Sequence, residues 1–413
     1  MNKLFYKDTI AGLEVSYEQL FTDLANETSY KLYCKFDSYY NVFKEIILSI
    51  LHGQEIILLD ADFSNDETRK LLGDDFLKTG VTRIIEPLGK IKFCDVHERI
   101  EANKDSWKIT LFTSGTTGLP KKISHTIDSI SRFVKKEDKR KDNIWGFAYN
   151  PTHMAGLQVF FQAFINQNTI IRLFGVERTA TFELIDKYRI TNISATPTFY
   201  RFLLPADHVC ASVQNLTSGG EKFDEKTMQL MQQIFMNSKI RNVYASTEAG
   251  TLFASQDDVF TLKPEMLRLV KIVDSELYLH RSMMGESKSF KLTDDWYATG
   301  DLIAVQTETP FSFKFISRKT GMINTGGYKV NPAEVEETIR LCNGVKDVHV
   351  YEKKNSLLGS IVCCDLIRLD DCLTEKKVRE FLQSKLQEYK IPRMITFVES
   401  IATTRTGKIS RIR

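Results

Sequence analysis

The sequence predicts an α/β fold: a large N-terminal unit of helix-covered sheets, followed, behind a segment of hinge composition, by a small α+β unit. Two observations carry this. Short apolar runs alternate with amphipathic stretches along most of the chain, the pattern of sheets covered by helices. After residues 317–320, a polar segment ending at Gly321, the grammar changes to a compact set of about 90 residues, an ordinary domain size. The expected division is residues 1–318 and 319–413.

The elements follow in order. Tyr40, Phe43, Ile46, Ile47, Ile50 and Leu51 make one face of a helix, which Gly53 ends. Residues 56–59 are all Ile or Leu and read as a buried strand. Residues 108–113 read as a β-rich run, and a helix-like run is expected after residue 121, with Ile127, Ile130, Phe133 and Val134 on one face. Residues 193–195, 242–244 and 277–279 are further short apolar runs. In the small unit, Asn331 as N-cap, Pro332 at the first helical position and Glu334 at the third mark a helix start. Strands are expected at 348–351, 360–367 and 395–398. A helix between them presents Val378, Phe381, Leu382, Leu386 and Tyr389.

Composition excludes several function classes. Apolar residues make up 42% and charged residues 26%, ordinary for a globular protein. A net charge of +3 from 56 basic and 53 acidic residues gives no argument for nucleic acid or an anionic membrane. No apolar run approaches the ~20 residues of a membrane span, and the N-terminus lacks a signal-peptide core. The cysteines at 34, 94, 210, 342, 363, 364 and 372 form no C-x-x-C pair, so free thiols in a reducing cytoplasm are expected. The histidines form no H-E-x-x-H pattern, and no structural metal is expected.

Six segments carry candidate chemistry. Ser114-Gly115-Thr116-Thr117-Gly118-Leu119-Pro120-Lys121 is a small, hydroxyl-rich loop ending in lysine, suited to phosphate oxygens. It is neither a Walker loop nor a dinucleotide fingerprint. His153 stands on a loop between Pro151 and Gly156, as a pocket wall or a structural histidine. Gly219 and Gly220, before Glu221, let a flat ring approach the main chain, or simply make a turn. Tyr244, Thr247 and Glu248 offer a base-stacking ring, a phosphate donor and a carboxylate for Mg²⁺; a capped helix start is the plain alternative. Asp301, after Thr299 and Gly300, is placed to accept two ribose hydroxyls, or marks a turn. Lys408, between Gly407 and Ile409, is by itself an ordinary terminal lysine.

In this order the six segments resemble the adenylate-forming superfamily, which includes acyl- and aryl-CoA synthetases, peptide-synthetase adenylation domains and luciferase-type enzymes. The family loop S-G-[ST]-T-G-x-P-K is met in full at residues 114–121, and the resemblance spans about residues 40–411. The run at 327–336 is most similar to CoA ligases of the o-succinylbenzoate and coumarate types. Departures are Lys122 where glycine is usual, Thr320 at the hinge position and Ala402 in place of a proline.

The resemblance implies roles. Thr113, Ser114, Gly115, Thr116, Thr117, Gly118 and Lys121 hold the β- and γ-phosphates of ATP. Gly219, Gly220, Glu221 and Tyr244 frame the adenine, and Asp301 with Arg318 holds the ribose. Thr247 meets the α-phosphate, Glu248 binds Mg²⁺, and Lys408 reaches both the acyl carboxylate and the α-phosphate. Gly326 and Gly327 leave room for the pantetheine arm of CoA, the favoured acceptor; loading of a carrier protein is the alternative, and a non-catalytic adenylate-binding protein a third. The acyl site is expected from residues 153–164, 195–200 and 217–221, with Met154, Phe160, Phe161, Phe164, Phe199 and Tyr200 as lining or core. No aspartate stands in these segments to take a substrate amine, so an aromatic or medium-length acid is expected.

Overall fold

The structure, a computed structural model, describes residues 3–63, 65–73, 82–113, 121–221, 223–319, 321–325, 328–355, 359–386 and 388–402. Its centre is an eight-stranded sheet. The strand order is Gly250–Ser255, Lys239–Ser246, Asn215–Gly219, Asn192–Ala195, Ile144–Phe147, Thr169–Arg172, Leu4–Asp8 and Leu13–Ser16. The inner six strands are parallel and each edge strand is antiparallel.

Strand alternation divides the interior. Ile170 and Phe147 join one hydrophobic core, whereas their neighbours Ile171 and Ala148 join another, on the opposite face of the sheet. The first core contains helix Tyr39–Leu51, in which Val42 and Leu48 are buried along with the six expected positions. The helix stops at Gly53, whose φ of +62° favours glycine.

A smaller sheet pairs Tyr33–Cys34, Ile56–Leu58, Ile109–Thr113 and Lys121–His125 in that order. Here the expected helix after residue 121 is corrected. Residues 121–125 form a strand antiparallel to Ile109–Thr113, and only the short helix Ile127–Ser131 follows. Ile127 and Ile130 are buried, but Phe133 lies past the helix and is exposed. Alternation explains the strand: Ile123 and His125 point inward while Lys122 points out.

A third, antiparallel sheet pairs Val259–Thr261, Phe311–Arg318, Trp296–Glu308, Glu276–His280 and Val270–Val273, with Leu292–Thr293 on its side. Ser317 and Arg318, read from sequence as hinge composition, are the end of one of its strands.

The C-terminal part has its own sheet of Tyr328–Val330, Ile323–Thr325, Gly359–Arg368, Val345–Asn355 and Met394–Phe397. Helix Pro332–Arg340 begins as expected, with the Asn331 side chain accepting from the Ala333 amide at 3.1 Å. Val335 and Ile339 of this helix, with Val378 and Leu382 of helix Glu375–Gln383, cover the sheet and close a separate core. Among the described residues no helix is long and apolar enough to cross a membrane.

Candidate active site

Parallel strands bring distant motifs to one edge. The carboxyl ends of Ile144–Phe147, Asn192–Ala195, Asn215–Gly219 and Lys239–Ser246 lead directly into His153, Thr198, Gly220–Glu221 and Thr247–Glu248. The chain leaves strand Ile144–Phe147 for Thr169–Arg172 on one side, then returns to Asn192–Ala195 on the other. Such a reversal opens a crevice at the carboxyl edge, where ligands of open α/β sheets bind.

His153 precedes helix Met154–Ile165, and its Nε2 lies 2.9 Å from Asp60 Oδ1 and 3.1 Å from Oδ2. Thr152 Oγ1 donates to Asp60 as well. Asp60 is buried and was missed from sequence, although it stands just past the carboxyl end of a buried strand. The fold thus brings a carboxylate to the start of the 153–164 segment, where sequence showed no aspartate, and Thr152 and His153 engage both of its oxygens. Gly156 is required here, since a Cβ would lie 2.2 Å from the Asn150 carbonyl oxygen.

The aromatic residues of this helix are core. Phe160 stacks on Phe43 at 4.6 Å and on Phe164 at 5.5 Å, and Phe161 meets the Trp107 edge. Met154, Phe160, Phe161, Phe164 and Tyr200 are all buried, whereas Phe199 is partly exposed.

Gly220 has φ +88° and makes a turn, the plainer of its two readings. Glu221 turns back to helix Pro197–Phe202, accepting from the Thr198 amide at 3.2 Å and the Thr198 hydroxyl at 2.7 Å. Its carboxylate is thus committed within the protein, and the main chain of 219–221 is what the turn presents. The Tyr244–Gly250 stretch is no helix start: Ser246 pairs with Gly250 across an antiparallel turn.

Tyr244, Asp301 and Arg318 come together. Asp301 and Arg318 face each other across two strands. Arg318 Nε donates to Asp301 Oδ1 at 2.8 Å, and the Tyr244 hydroxyl donates to Oδ2 at 2.5 Å. The Tyr244 ring stacks on Phe315 at 4.1 Å, so its position is set on two sides. Burial and the Asp301 charge push the phenol pKa up, so it stays a donor. The charge of Glu248 also acts on Tyr244, Tyr297 and Arg318, which places it beside this cluster. Asp301 follows Gly300, φ +75°, whose amide donates to the buried Glu276 at 2.9 Å.

Thr113 and Lys121 are opposed in the ladder. Ser114, Gly115, Thr116, Thr117 and Gly118, and likewise Gly326, Gly327 and Lys408, lie outside the described residues. The strand beginning at Lys121 is joined to the Thr247–Glu248 segment twice. His125 Nε2 meets the Thr247 carbonyl at 2.8 Å, and the Gly285 amide donates to the Glu248 carbonyl at 2.8 Å beside a Ser124–Glu286 bridge. Sequence reasoning passed over His125, although its inward place on an alternating strand was a usable signal.

Among the described residues one mixed cluster, Asp186, His208 and Cys210, holds ligand-capable atoms within 4.8 Å of one another. Residue spacing did not reveal it. Burial and the Asp186 charge push the Cys210 thiol up to about 12, so it is protonated at neutral pH with no cation bound.

The fold and this edge define a class. The AMP-binding enzyme family matches residues 43–278, and its C-terminal domain family matches residues 334–408. The chain belongs to the AMP-binding enzyme family. It is 23% identical to a 2-succinylbenzoate–CoA ligase of Listeria monocytogenes, over 84% of this chain and 78% of that protein. It is 25% identical to a long-chain-fatty-acid–CoA ligase of Mycobacterium tuberculosis, over 75% and 67%. Among solved structures, ATP-bound MatB from Rhodopseudomonas palustris superposes with a TM-score of 0.72 at 17% identity, over 99% of this chain and 94% of that one. The o-succinylbenzoate CoA synthetase of Bacillus subtilis with its acyl-adenylate gives 0.69 at 18%, over 99% and 94%.

Proposed function

We propose that the protein is an ATP-dependent acid–thiol ligase. A carboxylate oxygen attacks the α-phosphorus of ATP, the bond to the β-phosphate oxygen breaks, and pyrophosphate leaves. The thiolate of CoA then attacks the acyl carbon of the mixed anhydride and AMP departs. The single observation that carries this reading is the Tyr244–Asp301–Arg318 cluster beside Thr247–Glu248.

The chemistry suits these groups. Each Asp301 oxygen already accepts one donor, from Arg318 and from Tyr244, and keeps a second lone pair for a ribose hydroxyl, while Arg318 balances its charge. Gly219, Gly220 and the stacked Tyr244 form the adenine wall. Thr113, the loop to Gly118, and Lys121 hold the leaving pyrophosphate, and Thr247 donates to the α-phosphate. Two anions must meet in the first step, so barrier lowering is electrostatic, and Lys408 supplies positive charge at the reacting oxygens. Glu248 fits Mg²⁺, which takes a carboxylate with substrate phosphates and, when bound, adds positive charge to the pyrophosphate. Gly326 and Gly327 admit the CoA arm.

The acid is proposed to be aromatic or medium in length, taken at the crevice beside Thr196–Tyr200. The test is a panel of carboxylic acids with ATP, Mg²⁺ and CoA, read by mass spectrometry of the thioester. A thioester from CoA alone supports the reading. Adenylate without transfer to CoA would replace it with carrier-protein loading, and a signal from amino acids alone would overturn the substrate class.

A further inference from the structure

Arg201 stands in the last turn of helix Pro197–Phe202 and is almost completely buried, at 4% exposure. Its guanidinium faces three carboxylates. Two belong to its own domain: Glu221 at 3.5 Å and Asp224 at 3.7 Å. The third, at 3.1 Å, is Asp347 of strand Val345–Asn355 in the C-terminal part. Beside this contact Lys226 Nζ donates to the Arg340 carbonyl, again from one part of the chain to the other.

The ion pair joins the turn at Gly219–Glu221 to the small domain. Glu221 is held by Thr198 and Arg201 together, and Arg201 also donates to the Thr198 hydroxyl at 3.1 Å. A shift of Asp347 is therefore felt one residue from the glycine turn.

The pair is also built to separate. Stranding a buried charge is what makes a broken internal ion pair costly. Here neither partner is stranded. If the small domain leaves, Arg201 keeps Glu221 and Asp224. Asp347 keeps Arg340 at 3.4 Å and the Val348 amide at 2.8 Å. Each side carries its own counter-charge, so the contact selects an orientation without making it irreversible. An apolar patch of the same size would lack that angular selectivity.

We propose that Arg201 and Asp347 form a releasable clasp that holds the small domain against the Gly219–Glu221 turn in one orientation and frees it to take a second between the two steps of the ligase reaction, with Asp347 as its positioning residue. The two-step scheme rests on the proposed function; the clasp does not need an identified acid to be tested.

Cys94 and Cys372 are the two exposed cysteines, one on each side of the clasp, and the other five are buried. The full-length protein is spin-labelled at these two thiols, and the distance distribution between them is measured. The wild type is expected to show one dominant distance. Asp347→Asn, which keeps the side-chain volume, and Arg201→Lys, whose single nitrogen cannot serve three carboxylates, are each expected to add a second distance. Asp347→Glu is expected to restore the first. With an active acid in hand, the ratio of adenylation to thioester transfer shifts about threefold or more in both variants, as a changed population demands. If Asp347→Asn fails to fold, Arg201→Lys alone decides. A folded variant of either kind with the wild-type distribution overturns the clasp. A second distance in a protein that forms no thioester keeps the clasp and removes the ligase reading.

Discussion

His125 Nε2 lies 2.8 Å from the main-chain carbonyl oxygen of Thr247, across 122 residues of sequence. A carbonyl only accepts, so Nε2 carries the proton and Nδ1 accepts from the Ser129 hydroxyl at 2.8 Å. One neutral imidazole thereby ties the strand after the glycine-rich loop to the segment carrying Thr247 and Glu248.

This histidine gives a pH dependence with a defined sign. Burial, opposed by the bond to Thr247 and aided by the Arg132 charge, pushes it from 6.5 down to about 4. The unfolded chain binds the proton first, so its contribution to stability is full above pH 6.5 and is lost as pH falls toward 4. Between pH 7.5 and 4.5 this amounts to about 2–3 kcal/mol. Urea unfolding at both pH values should show a drop that is smaller by that amount in His125→Gln. An equal drop in both proteins contradicts the assignment.

Gly285 allows this arrangement. A Cβ there would lie 2.6 Å from His125 Cε1 and 2.8 Å from the Ser124 carbonyl oxygen. Gly285→Ala should cost about 1–3 kcal/mol, as overpacking does, and slow adenylation through Thr247 and Glu248. Denaturant midpoints equal to the wild type would show that the contact relaxes freely.

Asp301→Asn should raise the KM for ATP about 10–100-fold, the loss expected for hydrogen bonds to a charged group. Folding should be little affected, because the Arg318 side chain is 60% exposed and water can take over its charge. Initial-rate kinetics across ATP concentrations decide this. An unchanged KM removes Asp301 from nucleotide binding.

Lys408→Ala should lower adenylation about 10²–10³-fold, as loss of a charge stabilising the transition state does. Equilibrium nucleotide binding should survive. Pyrophosphate release and calorimetry on the same sample separate the two effects. Loss of binding instead of turnover would assign the lysine to the ground state.

Phe160→Ala should destabilise the fold by about 3–5 kcal/mol, as a large cavity in a packed core does. The order of preference among acids should remain that of the wild type. A reordered preference at unchanged stability would make Phe160 a lining residue.

The elements that local pattern determines were legible. Helix Tyr39–Leu51 and its glycine stop follow from periodicity, and the start of helix Pro332–Arg340 from its N-cap. The glycine turn at Gly220 and the family membership follow from motifs whose chemistry is local. One expectation failed, and two open alternatives could not be decided, because the evidence was not local. Residues 121–125 carry only a few residues of alternation, too short a window to separate strand from helix, so pairing with Ile109–Thr113 decides. The Tyr244–Gly250 stretch resembles a capped helix until strand Gly250–Ser255 folds back onto it. The phenylalanines of helix Met154–Ile165 look like a pocket until Phe43 and Trp107 cover them.

Sequence alone determined the family, because the motifs that mark it stand in set order along the chain. Tertiary structure alone decided the side-chain partners: Asp60 with His153, His125 with the Thr247 carbonyl, Asp301 with Tyr244 and Arg318, and Arg201 with Asp347. Each joins residues on different elements, and a side chain's partner depends on which surfaces the folded strands bring face to face, a relation with no counterpart in residue spacing.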